Sequence, residues 1–254
     1  MVTSTLNRQV EIFEFLKRNT KWNEAFQSDE YRRELRHCRS AKERLTQLLH
    51  STVNSQTKAN MTFLGDFWRS LHVAKRDSVD SLFKFTAHLE SQHPPKVAGI
   101  GPWDRLFHAL KAQRGWGDKT AALFVKSTIR IHRGPQRLHF WTDAHRLATA
   151  PITSDKVYLP VDAVIKHVFK EIGFERPDFW PINRGLLATY SPEDILVWDD
   201  LWFWGFFTQS SKGGNRTPGW NSDKYWGQLG SQKEEETTVQ RLGERFLRLA
   251  RQSG

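Results

Sequence analysis

Apolar positions recur every three or four residues along most of the chain, with polar residues between them. This spacing places the apolar side chains on one face of a helix. It occurs at residues 8–19, 41–56, 102–113, 118–131, 161–173, 191–205 and 237–252. The pattern therefore predicts an all-α protein.

Two of these segments carry residues that start or stop helices. Ser191, Pro192 and Asp194 form a capping box with proline at the first helical position. Gly173 directly follows another apolar segment and suits a left-handed helix end. We expect one helix to begin at Pro192 and another to end just before Gly173.

Patterns typical of strands are few. The segments 136–142 and 156–161 combine aromatic and β-branched residues and could pair as a small β-hairpin. The segment 210–232 is rich in Gly, Ser and Asn, and this composition predicts a long loop.

A cluster of aromatic residues follows in one of the predicted helices. Its members are Trp198, Trp202, Phe203, Trp204, Phe206 and Phe207. Such rings could stack on an extruded base, but a helix that is apolar all round is more often buried. We expect this cluster to belong to the core.

The charge balance points to a kind of partner. The 254 residues include 38 Lys and Arg against 28 Asp and Glu, which gives a net charge of +10 at pH 7. An excess of this sign favours a polyanion, most simply nucleic acid. A basic protein without such a partner is the alternative.

The content of metal-ligating residues is low. Cys38 is the one cysteine, which excludes a disulfide framework and any four-cysteine zinc or iron–sulfur site. His132, His139 and His145 lack a spacing typical of metal ligands. We therefore expect no metal and no cofactor.

The distribution of apolar residues also bears on location. The first helical segment is charged, so no signal-peptide core is expected. Asp199 and Asp200 interrupt the longest apolar stretch, which is too short to cross a bilayer. The sequence predicts a soluble protein without a membrane partner, either cytoplasmic (in a bacterial nucleoid) or nuclear.

One turn between two predicted helices holds two glycines and a lysine. Gly115 and Gly117 can adopt positive φ and let the backbone approach another molecule closely. Lys119 follows at the start of the next helix, where unpaired N–H groups attract an anion. This arrangement is typical of a helix–hairpin–helix, which grips a phosphate backbone without reading sequence. A plain connection capped by Asp118 is the alternative.

Two other helix ends carry polar residues. Downstream, Asp162 opens a helix, where it would accept backbone N–H bonds that favour an ionised carboxylate. Upstream, an apolar helix ends in the polar residues Asn54, Ser55, Gln56 and Thr57.

These three segments resemble the helix–hairpin–helix DNA glycosylase superfamily, which includes endonuclease III and the 8-oxoguanine glycosylases. The lyase-competent hairpin, G-x-G-x-K-x-A, is matched by Gly115, Gly117, Lys119 and Ala121. The family's catalytic acid lies in a P-V-D segment, matched at 160–162, and its polar loop is similar to 55–57. The resemblance covers roughly residues 41–173.

The resemblance implies that Lys119 and Asp162 are catalytic. A lysine amine is a nucleophile only when neutral, and the positive end of a helix dipole disfavours the ammonium form. Lys119 would attack C1′ of a flipped-out nucleotide and displace the base, and the resulting Schiff base would allow β-elimination of the 3′ phosphate. Asp162 would stabilise the cationic sugar. No metal is needed for these steps.

The resemblance also implies which residues contact DNA. The turn at Gly115 and Gly117 would bind the phosphate backbone. Gln56 would fill the space left by the flipped nucleotide, with Asn54 as its substitute. For Gln56, ordinary capping of a helix end is the alternative.

The chain departs from the family pattern around the acid. Lys119 and Asp162 lie 43 positions apart, further than in the commonest members, so an insertion separates them. Within it, Asp143 and His145 form a second candidate that is similar to the family's D-x-H. The amphipathic helix after Asp162 and the rigid approach through Pro160 favour Asp162 as the acid.

We expect a bifunctional DNA glycosylase with AP lyase activity, acting as a monomer on double-stranded DNA. Its expected target is an oxidised purine such as 8-oxoguanine. One helical lobe would span 41–130 and end in the hairpin, a second would combine 1–40 with 131–254, and the DNA groove would lie between them. The alternatives are a glycosylase that attacks undamaged DNA in restriction or defence, and a non-catalytic helix–hairpin–helix DNA-binding protein.

Overall fold

A computed structural model of the protein describes residues 2–56, 60–212, 215–228 and 235–251. These residues are mainly helical, which confirms the prediction of an all-α protein. The helices are α1 Val2–Leu35, α2 Ala41–Asn54, α3 Met61–Val73, α4 Leu82–Gln92, α5 Pro102–Lys111, α6 Asp118–Arg133, α7 Thr142–Thr149, α8 Ala163–Glu171, α9 Phe179–Leu187, α10 Pro192–Trp198, α11 Asp200–Phe207, α12 Ser222–Gln228 and α13 Glu236–Arg251. Within the described ranges, no helix is both long enough and apolar enough to cross a membrane.

The predicted helix ends are confirmed. The Asp194 N–H donates to Ser191 Oγ at 3.2 Å, and the Ser191 N–H donates back to Asp194 Oδ2 at 3.0 Å. Gly173 has a φ of 100°, in the left-handed region that glycine tolerates. The aromatic segment after Ser191 is nevertheless two helices, because α10 ends at Trp198 and α11 begins at Asp200.

The chain divides into two compact units. The first unit comprises Met1–Phe26, Val161–Ala188 and Leu196–Gly254, and the second comprises Gln27–Pro160 and Thr189–Ile195. These boundaries differ from those of the expected lobes, since residues 131–160 belong to the same unit as 41–130. The reason is that the part of the insertion after α6, residues 134–160, packs against α4, α5 and α6.

Two aspartates of the insertion cap helices of the second unit. The Asp143 carboxylate accepts the Leu82 N–H at 3.0 Å and the Phe83 N–H at 3.3 Å, at the start of α4. The Asp155 carboxylate accepts the N–H groups of Trp103 and Asp104, at 2.8 and 3.0 Å, at the start of α5. Burial raises the pKa of Asp155, although these bonds act in the opposite direction. The insertion thus satisfies helix N–H groups that no local residue caps.

The β-hairpin predicted within the insertion is wrong. Gln136–Leu138 forms a turn of 3-10 helix, and the described residues around Tyr158 form no strand. Val157 and Leu159 are buried, and the Tyr158 hydroxyl donates to Asp104 at 2.8 Å. The aromatic and β-branched composition therefore reflects burial against helices.

The one two-stranded sheet of the described residues lies in the first unit. Strands β1 Gln209–Lys212 and β2 Asn215–Pro218 pair antiparallel, with Gln209 opposite Pro218. The prediction of a long loop over 210–232 is therefore wrong where the chain forms β1, β2 and α12. Gly213, Gly214 and residues 229–232 lie outside the described residues. Two adjacent glycines between two short segments are typical of a β-hairpin, but the polar composition of 210–232 is equally typical of a loop.

Aromatic rings dominate the core of the first unit. Phe13 of α1 stacks on Trp198 at 5.8 Å between centroids. Phe15 meets Trp204 edge-on at 5.1 Å and lies 5.8 Å from Phe246 of α13. The expectation that the aromatic segment is core is confirmed for these buried tryptophans.

Three histidines lie ring against ring in the second unit. The centroid of His139 is 4.9 Å from that of His132 and 4.8 Å from that of His145. Burial, together with the neighbouring His139 and His145, lowers the pKa of His132 to about 3. Among the residues that can be described, no group of three or more His, Cys, Asp or Glu could hold a metal ion.

We expect His132 to lower the free energy of unfolding in mild acid. The unfolded chain takes up a proton at His132 below about pH 6.5, whereas the folded chain resists it until about pH 3. The stabilising contribution is thus complete above pH 6.5 and is lost as the pH falls towards 3, at up to about 1.4 kcal/mol per pH unit. Denaturant unfolding from pH 7.5 to 4.5 should show this slope, and His132→Leu should reduce it. An equal slope in the variant would contradict the assignment.

Candidate functional site

The glycine turn joins α5 to α6 within the second unit. Gly115 has a φ of 84°, in the left-handed region. Trp116 is buried, with its ring 5.2 Å from that of Phe67 and 6.3 Å from that of Phe124. Gly117 is the N-cap residue of α6. The turn is therefore anchored by its central tryptophan, with a glycine on either side.

The two glycines serve different purposes. A Cβ at Gly115 would lie 3.0 Å from the side chain of Leu64, in addition to the strain of positive φ. Gly117 has a φ of −115°, which any residue adopts, so the freedom of glycine to take a positive φ is not used there. A Cβ at Gly117 would meet nothing within 4 Å. The fold thus requires glycine at 115, whereas at 117 it leaves open space beside the backbone.

This contrast gives a paired prediction. Gly115→Ala should destabilise the protein by about 1–2 kcal/mol or more, because the left-handed backbone disfavours a Cβ. Gly117→Ala should leave the free energy of unfolding nearly unchanged, since nothing in the fold fills that space. Denaturant melts of the two variants check both values. Equal destabilisation by both would contradict this division.

Lys119 lies at the second position of α6, and its amine contacts the end of α2. Lys119 Nζ donates to the Ser55 carbonyl oxygen at 2.9 Å and to Ser55 Oγ at 3.1 Å. Gln56 Nε2 donates to the Gly115 carbonyl at 3.2 Å. The structure therefore brings together Lys119, Gln56 and the glycine turn from distant parts of the sequence.

The other residues of the polar cluster are placed differently. Asn54 is exposed, and its side-chain amide lies 2.9 Å from Nδ1 of His50 within α2. Thr57, which completes the family-like loop, lies outside the described residues. Of the two candidates for filling a vacated base position, Gln56 is the one bonded to the turn.

The Lys119 amine is held by a residue at the end of α2. Its donation to the two Ser55 oxygens fixes the position of the nitrogen. Ser55 therefore acts as a holder for the amine, a role for which the sequence offered no signal beyond its polarity.

Asp162 belongs to the first unit, where it caps α8. Its Oδ1 accepts the N–H groups of Val164 and Ile165 at 2.8 and 2.9 Å. Its Oδ2 accepts the indole N–H of Trp202, in α11, at 3.1 Å. Both carboxylate oxygens are thus held by N–H donors, which stabilise negative charge.

Close packing of α8 on α11 sets this geometry. Gly205 lies one turn from Trp202, and a Cβ there would approach Val164 Cγ1 to 2.8 Å. The absence of a side chain at Gly205 lets the two helices come together next to the Asp162 cap. The sequence pattern did not reveal this role for Gly205.

The aromatic segment is not uniform. Phe203, Trp204 and Phe207 are fully buried, whereas Trp202 and Phe206 are only partly buried. The expectation of core is therefore wrong for these last two, which form an edge of α11. No local spacing could have revealed this, because the partner of Trp202 is 40 positions away.

The second candidate acid has a structural partner. Asp143 caps α4 and also accepts the Ala144 N–H at 2.9 Å. Nδ1 of His145 lies 2.7 Å from the His132 carbonyl oxygen. These contacts give both residues of the D-x-H motif a structural role, so no catalytic role is needed to explain their presence.

A scan against protein-family models and searches of curated proteins and of solved structures found no match to this chain.

Proposed function

We propose that the chain is a bifunctional DNA glycosylase with AP lyase activity. The observation that carries the proposal is the placement of Lys119. It lies in the first turn of α6, directly after a glycine turn, and its amine is fixed against Ser55 next to Gln56. A helix–hairpin–helix would bind DNA phosphates at the same turn, where Gly117 leaves the backbone open.

The proposed reaction has two stages. The neutral amine of Lys119 bonds to C1′ of a flipped-out nucleotide, and the C1′–N bond breaks with its electrons passing to the base, which takes up the proton that the Lys119 nitrogen loses. The nitrogen lone pair then forms a C1′=N bond while the C1′–O4′ bond breaks, and O4′ receives those electrons and a proton from water, which gives a protonated Schiff base. Loss of a C2′ proton supplies the electrons of a C1′–C2′ enamine, from which the C3′–O bond breaks, so that the 3′ phosphate leaves and the strand is cut.

Asp162 would act electrostatically and would form no covalent bond to the substrate. An ionised carboxylate stabilises the positive charge that develops on the sugar as the base departs. Its hydrogen bonds to α8 and to Trp202 are in place before substrate arrives. DNA would lie in a groove between two helical lobes, as the resemblance implies.

The target base is the least defined part of the proposal. Resemblance to lysine-bearing members without a cysteine cluster supports an oxidised purine such as 8-oxoguanine. A panel of duplexes with single lesions, mismatches or no damage would test it, with base release and strand cleavage measured separately. We expect both from one lesion-bearing duplex. Release from undamaged DNA would instead indicate restriction or defence, and binding without release would indicate a non-catalytic binder.

Binding to undamaged duplex should weaken steeply with salt. The net charge of +10 implies several phosphate contacts, and each releases about 0.9 counterions. Fluorescence anisotropy from 50 to 200 mM salt, a range in which such contacts commonly cost orders of magnitude in affinity, measures the slope. A flat response would argue against DNA as the partner.

A further inference from the structure

The carboxylate of Asp162 is fixed by two different elements of the first unit. Oδ1 is tied to the backbone of α8 through Val164 and Ile165. Those bonds alone would leave Oδ2 free to swing, because both go to one oxygen. The Trp202 indole N–H, at 3.1 Å, fixes the second oxygen.

Trp202 is itself held by its neighbours. Its ring lies nearly parallel to that of Phe26, at 24° and 6.1 Å, and to that of Phe206, at 15° and 4.8 Å. The Lys224 amine lies 4.4 Å from the centroid of Phe206. We call Phe26, Trp202, Phe206 and Lys224 the aromatic stack.

The far end of the stack is anchored to backbone. Lys224 Nζ donates to the Phe206 carbonyl at 2.9 Å and also to that of Gln209. Gln209 Nε2 in turn donates to the Val164 carbonyl of α8 at 3.4 Å. Stacked rings and a cation in this order leave the indole little freedom, so its N–H has a defined direction.

We infer that Trp202 is a positioning residue for Asp162 in the proposed reaction. The indole N–H fixes the orientation of the carboxylate, and the aromatic stack fixes the indole. The partly buried edge of α11, formed by Trp202 and Phe206, therefore supports the acid and is not a surface for stacking a base. This inference rests on the proposed function, since it assigns Trp202 a task in that chemistry.

Trp202→Phe tests the inference because it keeps a ring in the stack and removes the N–H. We expect single-turnover base excision to fall about tenfold to a hundredfold, the scale of a small misplacement of a catalytic group. Affinity for the duplex should stay within about twofold of wild type.

The matched control is Trp226→Phe. The Trp226 indole also donates to a carboxylate of the first unit, Glu236 Oε2, at 2.8 Å, but near the surface of α12. Its loss should leave the excision rate unchanged. If both variants behave like wild type in an active enzyme, the inference is overturned while the proposed function stands.

A double-mutant cycle separates positioning from a general structural effect. If Trp202 acts only through Asp162, Trp202→Phe should have no further effect on excision in an Asp162→Asn background. Effects that multiply would show that Trp202 acts by another route and would overturn the inference. Absence of base release by wild type from every duplex in the panel would instead overturn the proposed function, and this assignment with it.

Discussion

Lys119→Gln should abolish the covalent complex that borohydride forms between the protein and its DNA substrate. Borohydride reduces a Schiff base, and the amide of glutamine cannot form one. The polar glutamine can still hydrogen-bond to Ser55, so the turn should keep its shape and affinity for the duplex should change little. Gel analysis of trapped protein–DNA adducts measures the effect.

Lys111→Gln is the control for Lys119. Lys111 ends α5 on the other side of the same turn, where its amine pairs with Asp118. This variant should still be trapped, because no step requires that amine. Trapping that survives in Lys119→Gln would place the nucleophile elsewhere, and base release without trapping in wild type would show a monofunctional mechanism.

Asp162→Asn should lower single-turnover base excision by about a hundredfold or more, the scale of losing a preorganised electrostatic stabiliser. The amide oxygen can still accept the N–H groups at the start of α8, so the helix cap is largely retained. Binding to DNA should therefore persist while the chemical step slows. Excision rates with enzyme in excess, together with a separate binding titration, measure the two effects.

Asp143→Asn provides the contrasting result. Asp143 caps α4 across 61 positions of sequence, and the asparagine oxygen can still accept there, so Asp143→Asn should cost less than the roughly 0.5–2 kcal/mol of removing a cap altogether. The excision rate of the folded variant should stay near that of wild type. The reverse pattern, with Asp143→Asn inactive and Asp162→Asn active, would make the P-V-D match a coincidence of helix capping.

The features that local sequence could predict are those whose cause is local. The capping box at Ser191, the left-handed Gly173 and the N-cap Asp162 depend on residues a few positions away. The same holds for Gly115, whose positive φ follows from a tight turn between two helices. Such signals act within one helical turn and can be read directly from the chain.

The features that were missed arise from contacts between distant residues. Trp202 reaches Asp162 from 40 positions away, and Asp155 reaches the start of α5 from about 50. The unit to which the insertion belongs is also set by distant contacts, because nothing in its composition shows that its aspartates cap helices earlier in the chain. Burial alone produced the strand-like pattern around Tyr158, which is why the predicted hairpin was placed there.

The first unit is built from three separate segments of the chain, so its parts are synthesised at different times. Phe13 and Phe15 of α1 leave the ribosome well before their ring partners Trp198, Trp204 and Phe246, which lie far downstream in the chain. The second unit has nearly all of its residues by Pro160. We expect the second unit to fold first. Until the later segments of the first unit have been synthesised, the apolar face of the first part of α1 stays exposed. A chain truncated before α13 would keep part of that face uncovered and would be a target for chaperones and proteases.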